Sequence, residues 1–207
     1  MTEPTTDEAM AAWIATAIES RDRYIEVARD SEVHRAGHPG CELYPSMPGQ
    51  LLAALAASTR AQRILEIGGG YGYSALWLAS SSTTTMVETI EADEEHSTTL
   101  AANARRFDVD ERVAVLLGND RDILPGLSGP YDFVFYDAAI PGPELIEHAE
   151  RLLRPCGTLL ASNVFLGRHV PDHPDLERGA IFRATLLEST RWQCAFVNGK
   201  LLAVLSE

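Results

Sequence analysis

Gly68, Gly69, Gly70 and Gly72 crowd into five positions between an apolar run and a second apolar stretch that begins at Ser74. A tight turn uses one or two glycines, so this density serves more than chain reversal. Glycines let a ligand lie against bare backbone. A loop that ends in a helix also aims free N–H groups and the positive helix end at one point. Further on, acids and amides recur where apolar runs stop: Glu91, Asn119 with Asp120, Asp137, and Ser162 with Asn163. No lysine stands among them, and the phosphate-loop pattern ending in glycine-lysine is absent, so a triphosphate has no cradle here. Glu91 is placed to accept both hydroxyls of a ribose.

These residues need strands to deliver them. Arg63–Ile67 is a short apolar run that reads as a strand, and Ser74 onward as a helix. Met86–Glu91, Arg112–Leu117, Tyr131–Tyr136 and Gly157–Ala161 read as further strands. Helices are expected from about Glu94 to Arg106, over Pro143–Leu153 and over Glu177–Ser189. Trp192–Val197 and Lys200–Leu205 flank Asn198-Gly199, a hairpin signal. The alternation predicts an α/β fold, Rossmann-like and doubly wound. Its sheet is mostly parallel and seven-stranded, with a C-terminal antiparallel hairpin. Residues 1–207 are expected to form one domain, with 1–45 as an N-terminal helix and loop that caps the site or contacts a second subunit. Thr5 and Glu8 have the form of a capping box. Met10, Trp13, Ile14, Ala17, Ile18, Tyr24, Ile25 and Ala28 predict one long amphipathic helix whose stripe packs on the core. Residues 34–49 hold three prolines and three glycines and read as a loop carrying His34, His38 and Tyr44. The spacing of His34 and His38 would suit a metal pair on a helix, which Gly37 and Pro39 oppose. Residues 50–58 read as a short apolar helix.

The chain has 207 residues and a formal net charge of -13, a surface that repels phosphate backbones and anionic lipid. Neither nucleic acid nor membrane is expected as a partner. Three cysteines, Cys41, Cys156 and Cys194, show no paired spacing and suggest buried thiols in a reducing compartment. The first ten residues lack the pattern of a secretory leader, so a cytoplasmic protein is expected.

Two ligands combine a glycine loop with a ribose acid: a nicotinamide dinucleotide and S-adenosylmethionine. The dinucleotide fingerprint wants a third glycine where this chain has Tyr73. Glu66, before the loop, has no use for a pyrophosphate but suits a ligand bearing an amino group. The closing hairpin likewise is not a dinucleotide-domain feature. With SMPGQLLAAL, RILEIGGGYGYSALWLA, TIEADEEHSTTLAANARR, YDFVFYDAAIPG and WQCAFVNGKLLAVL on the page, the chain resembles the class I S-adenosylmethionine-dependent methyltransferases, in particular the catechol and caffeoyl-CoA O-methyltransferase-like family. The resemblance runs from about Pro45 to the end. It implies that Gly68, Gly70, Gly72 and Ser74 hold the methionine end of the cofactor. It places Glu91 on the ribose, Asn119, Asp120 and Arg121 beside the adenine, and Asp137 near the reacting centre. A small-molecule acceptor and a homodimer are the expected partners.

The chain also departs from that family. Metal-dependent members hold Mg²⁺ with two aspartates and an asparagine. Asp137 and Asn163 match, but Ser162 stands where the second aspartate belongs. The family's lysine, three residues past the first acid, is Ile140 here. Losing one carboxylate leaves a weak Mg²⁺ site, so metal-independent transfer is expected, with His38, His169 and Asp137 as candidate bases. An S-adenosylmethionine-binding protein with lost or altered catalysis, an N-methyltransferase and an NAD-dependent oxidoreductase are the competing readings.

Overall fold

A computed structural model describes residues 6–165 and 172–207. Seven strands form one sheet in the order β3-β2-β1-β4-β5-β7-β6. They are β1 (Arg63–Ile67), β2 (Met86–Glu91), β3 (Val113–Leu117), β4 (Tyr131–Tyr136), β5 (Leu153–Ala161), β6 (Trp192–Val197) and β7 (Lys200–Leu205). The first five run parallel, β7 pairs antiparallel with β5, and β6 pairs antiparallel with β7. β1 lies inside the sheet with β2 on one side and β4 on the other, so the winding reverses there. In such a sheet the crevice at the reversal is where ligands bind.

Both faces of the sheet are covered, which is why its strands are apolar on both sides. One core layer gathers Ile64, Phe133, Phe135 and Leu160 under α3 (Gly49–Ser58), α4 (Tyr73–Ala79) and α5 (Glu94–Arg106). The other gathers Leu65, Ile67, Val134 and Leu159 under α7 (Pro143–Leu152) and α8 (Leu176–Glu188). α5 is capped as its sequence dictates. Asp93 Oδ1 accepts the His96 N–H (3.0 Å), Glu94 and Glu95 lie in the first turn, and Arg105 and Arg106 in the last.

The expected long N-terminal helix is two helices, α1 (Asp7–Glu19) and α2 (Ile25–Gly37), and Thr6 rather than Thr5 caps the first. The break is fixed by Asp22, whose Oδ1 accepts the Tyr24 N–H (2.9 Å) and whose Oδ2 accepts the Tyr73 hydroxyl (2.5 Å). α1 has no buried residue, and Ile14 and Ile18 remain 46% and 44% exposed. Its stripe therefore does not pack into this chain's core. α2 carries His34 and reaches Gly37, so the loop begins later than the composition suggests. A short helix α6 (Asp120–Ile123) also follows β3, where only a turn is expected. β5 starts directly after α7 and irregularly, with a register shift against β4 and Cys156 at φ 61°. The cysteines are not uniformly buried: Cys156 is exposed, and Cys41 and Cys194 are half-buried.

Tyr73, standing where a dinucleotide fold would have glycine, has a structural task. Its buried hydroxyl donates to Asp22 and accepts the Gly49 N–H (3.1 Å), tying the N-terminal helices to the head of α4. Tyr73→Phe leaves a buried carboxylate oxygen and a backbone N–H without partners. The expected cost is about 1–3 kcal/mol in chemical denaturation. A loss below about 0.5 kcal/mol would show that the tie does not matter.

Candidate active site

The ends of β1, β2, β3 and β4 open onto a cavity of about 730 Å³. That is ample for a nucleoside-sized ligand with a small acceptor beside it. Gly68, Gly69, Gly70, Ser74, Glu91, Asn119, Asp120, Arg121, Asp137 and Asn163 all line it. Most of the sequence-derived cofactor set thus converges on one space, Glu66 and Gly72 apart. Gly72 acts behind it as the cap of α4.

The glycine loop has little freedom to be anything else. Gly68 takes φ 96° and donates its N–H to the Ile90 carbonyl (2.9 Å); a Cβ there would sit 2.7 Å from the Asp137 carbonyl oxygen. Gly70 takes φ 53° and donates its N–H to Glu91 Oε2 (2.6 Å). Glu91 Oε1 accepts the Asp93 N–H (2.9 Å). Glu91 is therefore pinned by two backbone donors with its remaining lone pairs toward the cavity. Asn119 and Asp120 turn inward, each accepting the Arg121 N–H (3.0 Å).

Glu66 is fully buried beneath the loop and does not line the cavity. Its Oε2 accepts the Thr89 hydroxyl (2.6 Å), while Oε1 is buried without a hydrogen-bond partner. Burial pushes its pKa up to about 7, against the pull of the Ser74 and Thr89 hydroxyls. An orphaned carboxylate oxygen under the loop fits a group that brings positive charge, directly or through Ser74.

Asp137 ends β4 and accepts the Ser46 hydroxyl at Oδ2 (2.6 Å). Burial raises its pKa to about 6, opposed by hydrogen bonds from Ser46 and Ser162 and by the charge of Lys200. Lys200, at the head of β7 and only 7% exposed, donates from Nζ to the Ser46 carbonyl (2.6 Å). Burial lowers the pKa of its ammonium and Asp137 pulls it back up. Ser46 and Lys200 were not distinguished in the sequence. The one signal was a lysine opening an otherwise apolar strand. Tyr44, His173 and Arg178 also line the cavity. His173 accepts the Asp175 N–H at Nδ1 (3.1 Å).

His38 does not line the cavity. It is exposed, stacked on His34 at 3.9 Å, with Nδ1 against the His34 carbonyl (2.8 Å). That placement removes it from the candidate bases. His169 lies outside the described residues.

Residues 65–165 match the methyltransferase domain family. A catechol O-methyltransferase from Niastella koreensis is 32% identical over 175 residues, 77% of this chain and 79% of that protein. One from Mycobacterium tuberculosis is 35% identical over 141 residues, 67% of this chain and 64% of that protein. Among solved structures, an O-methyltransferase from Bacillus cereus in complex with SAH gives a TM-score of 0.75 at 28% identity, covering 87% of this chain and 89% of that one. TomG, an O-methyltransferase from Streptomyces achromogenes in complex with SAM, gives 0.77 at 30% identity, again covering 87% and 89%.

Sheet order, cleft and relatives together define a class I S-adenosylmethionine-dependent methyltransferase. The chain belongs to the O-methyltransferases of that class: its cofactor is S-adenosylmethionine and its acceptor a small-molecule hydroxyl.

The divalent metal used by part of this family is not matched by the residues at its positions. Asp137 is the single carboxylate there, Ser162 is fully buried, and the Asn163 amide donates to the Ala138 carbonyl (2.7 Å). Mg²⁺ favours carboxylate oxygens, and a buried ammonium behind Ser46 repels it. Ile140 replaces the family's lysine with a buried apolar wall of the cavity.

Glu91→Ala removes the carboxylate that faces the cavity and strands the Gly70 N–H. SAH affinity by calorimetry is expected to fall at least about tenfold. Unchanged affinity would mean that the ribose is held elsewhere.

Proposed function

We propose that this enzyme methylates an acidic hydroxyl of a small molecule, a catechol or related phenol, without a metal ion and with Asp137 as the proton acceptor. The observation that carries this reading is the Asp137–Ser46–Lys200 arrangement: a buried carboxylate with raised pKa, hydrogen-bonded at 2.6 Å and backed by a buried ammonium. The names of the relatives make catechol the first acceptor to test.

Bound S-adenosylmethionine supplies a methyl group on a sulfonium, open to in-line attack. Gly68, Gly70 and Ser74 hold its methionine end, Glu91 its ribose, and Asn119, Asp120 and Arg121 border its adenine. The acceptor hydroxyl lies against Asp137, in reach of Tyr44. As the oxygen–methyl bond forms and the sulfur–methyl bond breaks, the hydroxyl proton passes to the Asp137 carboxylate. A carboxyl raised toward 6 is a better proton acceptor than an ordinary aspartate. Lys200 keeps enough of it ionised to act at neutral pH. Residues 1–207 work as one methyltransferase unit. α1, with Ile14 and Ile18 of its apolar stripe exposed, is the proposed seam of a homodimer. A net charge of -13 supports a partner other than nucleic acid.

The pH profile tests the base. The sign follows from Asp137: the anion is active, so turnover should rise as pH climbs through about 6. Lys200→Met removes the opposing positive charge and should move that limb to higher pH. Asp137→Asn should abolish the limb and lower kcat by at least about a hundredfold. An Asp137→Asn enzyme with the same limb and rate would remove Asp137 from the chemistry. For the seam, Ile14→Glu is expected to convert a dimer to a monomer in sedimentation. A chain that is monomeric before substitution contradicts it.

A further inference from the structure

Beside the ribose acid, three side chains of metal-ligating type meet. His34 comes from α2, Cys41 from the loop after it, and His96 from the first turn of α5. The His34 and His96 Nε2 atoms are 3.3 Å apart, Cys41 Sγ is 3.8 Å from His96 Nε2, and all three ligand atoms lie within 4.8 Å of one another. Both rings are well covered, with side-chain exposures of 10% and 14%.

The opposite ring nitrogens already face oxygens. His96 Nδ1 points at Glu91 Oε1 (3.7 Å). His34 Nδ1 lies 2.7 Å from the Tyr71 hydroxyl and 3.5 Å from Glu95 Oε1. Tautomers with the proton on Nδ1 let His34 donate to the Tyr71 oxygen and turn both Nε2 atoms toward each other as acceptors. Two Nε2 lone pairs are then aimed at each other, an arrangement that calls for a cation between them. Oxygen partners behind the ligating imidazoles are also how metal-bound histidines are held. Zn–N bonds of about 2.0–2.1 Å at tetrahedral angles separate two ligand nitrogens by roughly 3.3–3.4 Å, and nitrogen from sulfur by roughly 3.5–3.6 Å. The observed spacings lie close to both.

We propose that His34, Cys41 and His96 form a three-ligand site for a borderline-soft divalent ion of the zinc type, with a fourth position open to water. Two imidazoles and a thiolate select against Mg²⁺ and Ca²⁺, which take oxygen ligands. His38, the partner that helical spacing suggests, plays no part: it stacks on His34 from outside. The ion joins α2 and the loop leading to Tyr44 and Ser46 onto α5, and through His96 it steadies Glu91. It is a clamp on the wall of the cofactor cavity, separate from the transfer chemistry at Asp137.

The test uses tag-free chain, stripped with chelator, desalted and titrated with Co²⁺ and then Zn²⁺. One Co²⁺ per chain is expected, with thiolate-to-metal charge-transfer absorption in the near ultraviolet and displacement by Zn²⁺. Mg²⁺ should not compete. Cys41→Ser should abolish the charge-transfer band while Cys156→Ser retains it. His34→Ala and His96→Ala should weaken binding at least about tenfold, and His148→Ala should leave it unchanged. Circular dichroism confirms that each variant is folded. The absence of a stoichiometric cobalt–thiolate complex would overturn the site and leave a proton shared between the two rings as the occupant. So would binding that survives both Cys41→Ser and His34→Ala.

Discussion

The backbone at Gly68 cannot be any closer to its neighbours, and the site is built around that approach. Its N–H is spent on the Ile90 carbonyl of β2, and its α-carbon lies where a Cβ would strike the Asp137 carbonyl of β4. Three strand ends are thereby drawn to one point. Glu91 follows Ile90 and Asp137 follows Tyr136, so the two acids emerge on either side of the glycine loop. Both line the cavity. Because the geometry is backbone geometry, it does not depend on side-chain rotamers and is in place before any ligand arrives.

Around this fixed centre the electrostatics are arranged by burial. Glu66 beneath the loop and Asp137 beside it are carboxylates taken out of water, and both are harder to ionise for that reason. They differ in what compensates them. Glu66 has only the Ser74 and Thr89 hydroxyls, with one oxygen unsatisfied. Asp137 has Ser46, Ser162 and the charge of Lys200. In the proposed chemistry the positive charge facing Asp137 belongs to the chain, as Lys200. Ser162 stands where a metal-dependent site would have an acid, and Lys200 is buried beside Asp137, so the residues present fit Mg²⁺ poorly.

Much of this was legible in the sequence because the chemistry sits at strand ends, and strand ends are marked by where apolar runs stop. β1, β2, β4, β6 and β7 have the bounds that the pattern predicts, and the residues that follow the first three line the cavity. The failures have a common cause. The break between α1 and α2 depends on Asp22 reaching Tyr73, and Lys200 matters only because it reaches Ser46, 154 residues away in the chain. No local period carries such contacts. The His34–Cys41–His96 cluster is of the same kind: helical spacing pairs His34 with His38, whereas the fold brings in His96 from 62 residues on.

The proposed transfer chemistry runs on the chain's own charges. The most direct measurement is turnover of metal-stripped enzyme with S-adenosylmethionine and catechol, titrated with Mg²⁺. The account predicts a flat response, with the stripped enzyme as fast as the Mg²⁺-supplied one. A rise of about tenfold or more with Mg²⁺, saturating at one ion per chain, would contradict it.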